Sequence, residues 1–200
     1  MSKDFFEHKA NIYDGDNNRV SNVENIANSV IANVTLEQKM HLMDFGSGTG
    51  LLLERIAPYV RKITAIDISK SMNDQLDRKR SSIGCDVDIL EINLASTDIS
   101  EKFDGIISSM TMHHVKDVGP MFVKFFSLLN DDGFIAISDL DKEDGSFHAE
   151  DTGVHHSGFD RDAIAAEAKQ AGFHDVKIVD ASVVHKPNGE FPVFLLTARK

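Results

Sequence analysis

Apolar residues along this chain recur with two different periods. Short, nearly continuous apolar runs predict buried strands, and these runs cover residues 41–45, 62–68, 87–92, 103–109 and 134–139. Segments with apolar residues at helical spacing flank and separate the runs, and they cover residues 21–34, 49–57, 69–81, 122–129 and 160–171. Strands that alternate with helices are typical of an α/β fold with a parallel sheet.

The C-terminal part of the chain has a different pattern. Two alternating runs, residues 176–184 and 191–198, are separated by a connection too short for a parallel crossover, so they predict an antiparallel hairpin. The polar segment 140–158 carries three glycines and predicts a long, lid-like loop. We therefore expect a single domain over residues 1–200, with a doubly wound, seven-stranded and mainly parallel sheet that ends in this hairpin.

Charge and composition narrow the class of protein. The 200 residues include 21 Lys and Arg against 32 Asp and Glu, a net charge of −11, which disfavours binding to nucleic acid or to anionic lipid. No apolar run approaches the ~18 residues of a membrane-spanning helix, and the N-terminus lacks a signal-peptide pattern. With one cysteine, Cys85, the sequence predicts a cytoplasmic protein without membrane insertion. It carries no indication of oligomeric state.

The strongest motif is MDFGSGTG, residues 43–50, between a predicted strand and a predicted helix. Gly46 and Gly48 allow a sharp turn and a close approach of a ligand to the backbone, and N–H groups at a helix start bind polar ligand atoms. Asp67 ends the next strand, where a carboxylate accepts hydrogen bonds from both ribose hydroxyls. The combination predicts a site for an adenosine-containing ligand.

Two details favour one kind of adenosine ligand. The dinucleotide fingerprint requires a third glycine where this chain has Leu51, and the glycine comes one residue early, at Gly50. Asp44, just before the glycines, would repel a pyrophosphate and attract an ammonium group. These details favour an adenosine with a cationic amino-acid tail and disfavour a nicotinamide oxidoreductase.

On these motifs the chain resembles the class I S-adenosylmethionine-dependent methyltransferases, in the small-molecule branch related to quinone-biosynthesis enzymes. MDFGSGTG resembles the first motif of the family, AIDIS with Asp67 the second, FDGIISSMTMHHV the fourth-strand motif and LLNDDGFIAISD the fifth-strand motif. The family's sheet also ends in an antiparallel hairpin. The resemblance implies S-adenosylmethionine as methyl donor and S-adenosylhomocysteine as product.

The resemblance also implies roles for residues that bind the donor. Asp44 would face the methionine ammonium and Asp67 the ribose hydroxyls. The other implied contacts are Gly46, Ser47, Gly48, Thr49 and Gly50 along the methionine and ribose, Ile68 and Met72 against adenine, and Ser109 and Met110 near the sulfonium. The third motif departs from the family, with Asn93 and Leu94 where an Asp usually precedes the adenine contact; a carboxamide oxygen still accepts from the adenine amino group. Met72 is equally consistent with helix core.

Several histidines follow the fourth and fifth predicted strands, at the carboxyl edge of the sheet where the glycine turn and Asp67 also lie. We hypothesise that the loop closes an acceptor pocket and that a histidine serves as general base; the candidates are His113, His148, His155 and His156. In the resembling family His114 corresponds to a structural anchor, and His155 and His156 are also consistent with plain loop residues. The donor set of His148, Asp151, His155 and His156 with Asp139 or Asp141 matches no zinc signature, so no metal is expected.

The N-terminal segment 1–34 is interpreted as an arm and a helix that cover the site. Tyr13 would close the site and Arg19 would orient it, while a mobile arm anchored by Phe5, Phe6 and Tyr13 is the alternative. The predicted function is methyl transfer from S-adenosylmethionine to a small-molecule acceptor, at O, N or C, by in-line displacement. The alternative is a non-catalytic module that binds S-adenosylmethionine or S-adenosylhomocysteine on the same fold.

Overall fold

The computed structural model describes residues 4–5, 7–148 and 152–200. Seven strands and five α-helices follow in the predicted alternating order. The strands are β1 His41–Phe45, β2 Lys62–Asp67, β3 Asp86–Glu91, β4 Phe103–Ser109, β5 Leu129–Leu140, β6 His174–Lys186 and β7 Gly189–Arg199. The helices are α1 Asn17–Asn33, α2 Leu51–Ile56, α3 Lys70–Lys79, α4 Val118–Leu128 and α5 Arg161–Gln170.

All seven strands form one sheet in the order β3-β2-β1-β4-β5-β7-β6. Strands β1 to β5 pair in parallel, whereas β7 pairs antiparallel with both β5 and β6. The predicted fold class is therefore confirmed, including the C-terminal hairpin. That hairpin is longer than the pattern indicates, because pairing continues to Lys186 and Gly189 and leaves only Pro187 and Asn188 between the strands.

Helices cover both faces of the sheet. Helices α1, α2 and α3 close one core, to which they contribute Ile26, Leu53 and Leu76, while α4 and α5 close the other. The second core is rich in phenylalanine, with Phe122 and Phe125 fully buried. Parallel strands between two helix layers are buried on both faces, which is why β1 and β4 read as continuous apolar runs.

Strand β5 begins earlier than the sequence predicts. Leu129 fits the helical spacing of α4, yet it is the first residue of the strand and pairs with Phe103. The register then shifts, because Phe134 pairs with Gly105, and Asp132 adopts a φ of +62° within the shift. Residues 131–133, which lie between the predicted helix and the predicted strand, therefore form an irregularity inside a longer strand.

The strand order reverses between β1 and β4. The chain runs outward from β1 to β2 and β3, and then returns to the other side of β1 to form β4. In open α/β sheets such a reversal opens a crevice at the carboxyl ends of the two strands, which is where ligands bind. Across the described ranges, no helix combines the length and apolar character that a membrane crossing requires.

Candidate active site

The turn after β1 is held tightly against its neighbours. The N–H groups of Gly46 and Ser47 both donate to the carbonyl of Ile66, at 2.8 and 3.2 Å. Gly46 has a φ of +69°, and a Cβ atom at this position would lie 2.1 Å from the Cγ2 atom of Thr111. Both the backbone conformation and the close approach require glycine here.

The turn then leads into α2 and is tied to β2. Gly50 adopts a φ of +85°, and a Cβ atom there would lie 2.5 Å from Leu76 Cδ1. The N–H group of Gly48 donates to Asp67 Oδ2 at 2.8 Å, while Asp67 Oδ1 accepts from Ser69 N–H at 2.8 Å. The pKa of Asp67 is raised by burial, against the lowering effect of these backbone hydrogen bonds. Each carboxylate oxygen has a second lone pair, so Asp67 keeps the acceptor capacity that the predicted ribose contact requires.

Asp44, at the carboxyl end of β1, carries a polar atom that the fold leaves unsatisfied. The residue is 1% exposed, and its Oδ2 atom has no hydrogen-bond partner among the described residues. Burial, and then the neighbouring Asp67, raises the pKa of Asp44 to about 8. A buried carboxyl group of this kind gains most from a cation, so the site fits the ammonium group of a methionine tail. The Ser47 hydroxyl, which lines the same cavity, is also buried and has no hydrogen-bond partner within the part of the chain that the structure describes.

The residues predicted to contact adenine do not line the cavity, described below, that joins the glycine turn to the histidines. Ile68 is 59% exposed, whereas Met72 and Leu94 are buried. Asn93 is exposed, and its side-chain oxygen accepts from the N–H group of Ala95 at 3.0 Å. Of these residues, Ile68 offers an accessible apolar surface beside Asp67, and Leu94 packs in the core of the α4 face.

The N-terminal arm crosses this part of the sheet edge. Asp14 Oδ1 accepts from the Thr49 hydroxyl at 2.5 Å, and Asp14 Oδ2 accepts from Lys79 Nζ at 2.8 Å. Asp4 Oδ1 accepts from the Ser69 hydroxyl, and Asp4 Oδ2 accepts from the backbone N–H and the hydroxyl of Ser71. These bonds hold the arm over the glycine turn and the start of α3. Phe6, one of the expected anchors of the arm, lies outside the described residues.

The guanidinium group of Arg19 stacks on the ring of Tyr13, and both residues line the same cavity. The guanidinium carbon of Arg19 lies 3.8 Å from the centroid of the Tyr13 ring, and Arg19 Nη1 donates to the Tyr13 carbonyl at 2.9 Å. Burial raises the pKa of Tyr13. Asp16 caps α1 by accepting from the N–H groups of Asn18 and Arg19, which fixes the helix start beside this pair.

A cavity of about 460 Å³ joins the glycine turn to the histidines. Its volume lies within the range of small-molecule sites. Ser109 and Met110 line it between the two ends, and Met110 adopts a φ of +56°, a strained conformation for a methionine. The predicted site residues that line it are Tyr13, Arg19, Asp44, Gly46, Ser47, Gly48, Thr49, Ser109, Met110, His113 and His148.

His113 is paired with a carboxylate that sequence reasoning considered only as a metal donor. Its Nδ1 atom lies 2.7 Å from Oδ1 of Asp139, which is fully buried at the end of β5. Asp139 also accepts from the backbone N–H groups of His113 and Leu140, at 3.1 and 2.7 Å. Because Asp139 acts as acceptor throughout, Nδ1 of His113 is the donor. The Nε2 atom is then the nitrogen available to a ligand in the cavity.

Two further imidazoles stand beside His113. Its ring centroid lies 4.3 Å from that of His114 and 5.0 Å from that of His148. Burial, followed by the charge of His113, lowers the pKa values of both His114 and His148 to about 4. His148 Nε2 is buried and has no hydrogen-bond partner among the described residues. Both rings are therefore neutral near pH 7 and form a polar, uncharged part of the wall.

The other two histidine candidates do not reach the cavity. His155 is exposed and donates its backbone N–H to the His113 carbonyl at 2.9 Å. His156 Nε2 lies 2.9 Å from the carbonyl of Val115 and 3.2 Å from that of Lys116, so this ring fastens the loop to the segment after β4. Within the described residues no group of three or more ligating side chains is arranged to hold a metal ion, and Asp151 lies outside them.

The polar loop after β5 is anchored at both ends. Lys142 and Glu143 donate backbone hydrogen bonds to the carbonyls of Phe159 and Ser157, and the Phe147 ring packs against Phe191 at 5.2 Å. The loop thus contributes Phe147, His148 and Thr152 to the cavity wall. Sequence reasoning missed Phe147 and Lys186, because nothing in the local pattern indicates that the far end of the hairpin returns to the site.

The sequence matches the profile of the methyltransferase domain family over residues 21–178, which is well over half of the chain. The chain belongs to this family. It is a class I S-adenosylmethionine-dependent methyltransferase with a Rossmann-like fold.

Known relatives are methyltransferases of several kinds. An uncharacterised methyltransferase of Schizosaccharomyces pombe is 27% identical over 195 residues, covering 89% of this chain and 68% of that protein. The ubiquinone biosynthesis O-methyltransferase of Nitrobacter winogradskyi is 27% identical over 108 residues, which are 54% of this methyltransferase and 41% of that relative. The methyltransferase therefore spans about two fifths of that relative's length.

Solved structures share the fold at low identity. The N-methyltransferase NodS from Bradyrhizobium japonicum, solved in complex with S-adenosyl-L-homocysteine, has a TM-score of 0.72 to this methyltransferase. The superposition covers 94% of this chain and 89% of NodS at 11% sequence identity, so the likeness concerns the fold.

Proposed function

We propose that this methyltransferase methylates a small-molecule acceptor that binds in the cavity between Asp44 and His113. The observation that carries the proposal is the cavity itself: it has the glycine turn and an unsatisfied carboxyl group at one end and an oriented histidine at the other. Its volume of about 460 Å³ suits a small acceptor beside the methionine part of a donor.

The residues expected to hold the donor act at three points. Asp44 receives the ammonium group at its unsatisfied Oδ2 atom, and Asp67 accepts from the ribose hydroxyls. Ser47 and Gly48 offer a hydroxyl and backbone close to the methionine part. Ile68, Met72, Asn93 and Leu94 remain the proposed surroundings of adenine, with Ile68 the most accessible of them.

The protein's share of the chemistry is alignment, exclusion of water and, for a protonated nucleophile, removal of a proton. When bound, S-adenosylmethionine supplies an electrophilic methyl carbon whose sulfur departs as a neutral thioether, so no general acid is required. Ser109 and Met110 fix the geometry between the two ends of the cavity, and alignment of this kind contributes up to ~7–11 kcal/mol in favourable cases. His113 Nε2 accepts the proton of an O–H or N–H acceptor, while Asp139 holds the ring and stabilises its protonated form.

Two segments are proposed to cover the site. The described part of the N-terminal arm and α1, within residues 1–34, lies over the donor end through Asp14 and over the cavity through Tyr13 and Arg19. The described part of the loop 140–158 forms the acceptor-side wall through Phe147 and His148. Both segments keep water out of the site once the ligands are bound.

The partners follow from charge. A net charge of −11 supports a small-molecule acceptor over nucleic acid. We also propose a cytoplasmic location, supported by the single cysteine, which has no partner for an intrachain disulfide.

The proposal is tested in two steps on the purified protein. Calorimetric titration with S-adenosylhomocysteine is expected to show binding at one site, and a library of small acceptors is then screened for acceptor-dependent formation of that product. Turnover with one acceptor, lost in His113→Ala while S-adenosylhomocysteine still binds, supports the proposal. Binding without turnover on any acceptor supports instead the non-catalytic module, and absence of binding overturns both.

A further inference from the structure

The acceptor end of the cavity is basic in a strongly acidic protein. Among the described residues that line the cavity, Lys9, Arg19 and Lys186 are cationic, whereas Asp16 and Asp44 are the carboxylates. Asp44 belongs to the donor end, and Asp16 caps α1 and forms an ion pair with Arg19, with 3.5 Å between Oδ2 and Nη2. The chain as a whole has a net charge of −11, so this local excess of positive charge is not a property of the average surface.

Lys186 is the cation whose surroundings point most directly to a ligand. It is the last residue of β6, and its Nζ atom lies 3.7 Å from the centroid of the Phe147 ring and donates to the Phe147 carbonyl. No carboxylate of the described residues lies within 4.0 Å of this ammonium group; Glu143 and Asp16 act on it from farther away, and Arg19 and Lys9 repel it. Burial, and then Arg19, lowers the pKa of Lys186.

A partly buried ammonium group without a carboxylate partner is stabilised when an anion binds beside it. Glu143 acts on Lys186 only from beyond 4.0 Å, and its Oε2 atom is held by the backbone N–H groups of Gly145 and Phe147. The cavity therefore offers a preformed half of an ion pair.

The position of Lys186 assigns that anion to the acceptor. Phe147 beneath the ammonium group has its ring 4.8 Å from the ring of His148, which in turn lies 5.0 Å from the ring of His113. This series of contacts leads from Lys186 to the proposed general base, on elements outside the glycine turn.

We propose that the acceptor carries a carboxylate or phosphate group, which Lys186 binds beside Phe147 and His148 while His113 faces the atom to be methylated. This inference rests on the proposed function and adds the chemical class of its substrate. Two sources of such an anion exist, the acceptor and the carboxylate of the donor's own methionine tail, and they make different demands on Lys186.

The test measures binding rather than turnover. The affinity of the protein for S-adenosylhomocysteine is measured first, for the wild type and for Lys186→Gln, Lys186→Arg and a control, Lys39→Gln, whose side chain is 81% exposed at a distance from the cavity. The S-adenosylhomocysteine complex is then titrated with acetate, malonate, benzoate and inorganic phosphate, and with the amides of the three carboxylates.

We expect at least one anion to bind at least about tenfold more tightly than its neutral counterpart, or in the case of phosphate more tightly than every amide. Lys186→Gln is expected to remove this preference, Lys186→Arg to restore most of it, and Lys39→Gln to leave it unchanged, while S-adenosylhomocysteine binds all four proteins within about twofold.

Each other result is decisive. If no anion is preferred, or if the preference survives in Lys186→Gln, the inference is overturned while the proposed function stands. If Lys186→Gln lowers the affinity for S-adenosylhomocysteine itself by about tenfold, Lys186 binds the carboxylate of the donor and the inference is again wrong. If the wild type does not bind S-adenosylhomocysteine at all, the proposed function fails first.

Discussion

The side chain of His113 donates from Nδ1 to Oδ1 of Asp139 across 2.7 Å, and neither residue is more than 2% exposed. The two residues come from the ends of different strands, since His113 follows β4 and Asp139 is near the end of β5. The carboxylate also accepts from the backbone of His113, so side chain and main chain are positioned by one group. The imidazole is thus held in one tautomer, which leaves Nε2 as the ring nitrogen for a ligand in the cavity that His113 lines.

The first prediction concerns this pair. Once an acceptor is known, His113→Ala should lower kcat by about 10²–10⁴-fold, because positioned general bases contribute that much. Asp139→Asn should lower kcat through the tautomer and orientation of the ring, and the double variant should be little worse than either single one, since the residues act as a unit. The affinity for S-adenosylhomocysteine should stay within about twofold in each.

His155→Ala is the matched control, because this neighbouring histidine is exposed and lies outside the cavity wall. It should retain full turnover. A plot of kcat against pH separates the roles: loss of a base removes the acidic limb of the profile, whereas a merely structural loss scales the whole curve. If the acceptor is a carbon nucleophile that loses no proton, kcat of His113→Ala should equal that of the wild type. That result would contradict the assignment of His113 as general base.

The second prediction concerns Asp44 and donor binding. Its unsatisfied oxygen and raised pKa mean that the carboxyl group is protonated near neutral pH and ionises when an ammonium group arrives. Binding of S-adenosylhomocysteine at pH 7 should therefore release a proton, and the affinity should rise with pH up to about 8. Calorimetry in buffers of different ionisation enthalpy measures this proton directly.

Asp44→Asn should abolish the proton release and weaken binding by at least about tenfold, in line with the ~1.5–3 kcal/mol of a hydrogen bond to a charged group. Asp77→Asn, on the exposed face of α3, should change neither quantity. An unaltered proton count in Asp44→Asn would exclude Asp44 as the partner of the ammonium group.

The third prediction is the effect of the same carboxyl group on the stability of the ligand-free protein. In the unfolded chain Asp44 titrates near 3.8, and in the fold near 8. Between these values the unfolded state has lost the proton and the folded state has kept it. The contribution of Asp44 is therefore fully present below pH ~4 and is lost as pH rises to about 8, by up to ~1.4 kcal/mol per pH unit.

Urea unfolding of the wild type and Asp44→Asn from pH 4.5 to 8.5 tests this sign. The difference in unfolding free energy, wild type minus variant, should fall steadily with rising pH. Asp67, whose pKa is also raised, and the histidines with lowered pKa values, His41, His114 and His148, are common to both proteins and cancel in the difference to first order. Parallel curves would mean that Asp44 does not keep its proton in the fold.

The sequence predicted the sheet and the donor end of the site for a definite physical reason. Strands buried on both faces must be apolar throughout, and the turn after β1 requires residues that adopt positive φ, as Gly46 does. Such constraints act within a few residues and are visible locally. The sequence pattern predicts a helix at Leu129, because helical spacing and a buried strand end both require an apolar residue there and only the pairing with Phe103 decides between them.

The acceptor end was less accessible to sequence reasoning. His113 and Asp139 are 26 positions apart in the sequence. Because His114 follows directly and is also a histidine, the sequence does not indicate which of the two pairs with a carboxylate. Lys186, at the end of β6, lines the cavity because it packs against Phe147 of the loop after β5. This is a tertiary contact that the local sequence pattern does not indicate. His155 and His156 have the residue type expected of a catalytic base, but their hydrogen bonds attach the loop to the segment after β4. The sequence pattern does not predict these bonds.

The fourth prediction concerns the N-terminal arm and the rate of donor exchange. Asp14 joins the arm to both Thr49 in the glycine turn and Lys79 at the end of α3. Asp14→Ala removes both bonds without touching the cavity wall, to which Asp14 does not contribute. If the arm covers the donor, S-adenosylhomocysteine should leave the variant several-fold faster, because an exposed or partly buried ion pair and hydrogen bond contribute about 1 kcal/mol.

Stopped-flow displacement of bound S-adenosylhomocysteine measures that rate. The association rate should rise along with the dissociation rate, since a loosened cover opens the path in both directions, and the affinity should change less than either rate. Asp74→Ala on α3 is the control, because it breaks a surface ion pair with Lys70 and leaves the arm intact. A dissociation rate in Asp14→Ala equal to that of the control would show that the arm does not gate the donor. A fall in affinity through the dissociation rate alone would make Asp14 a direct support of the binding site instead.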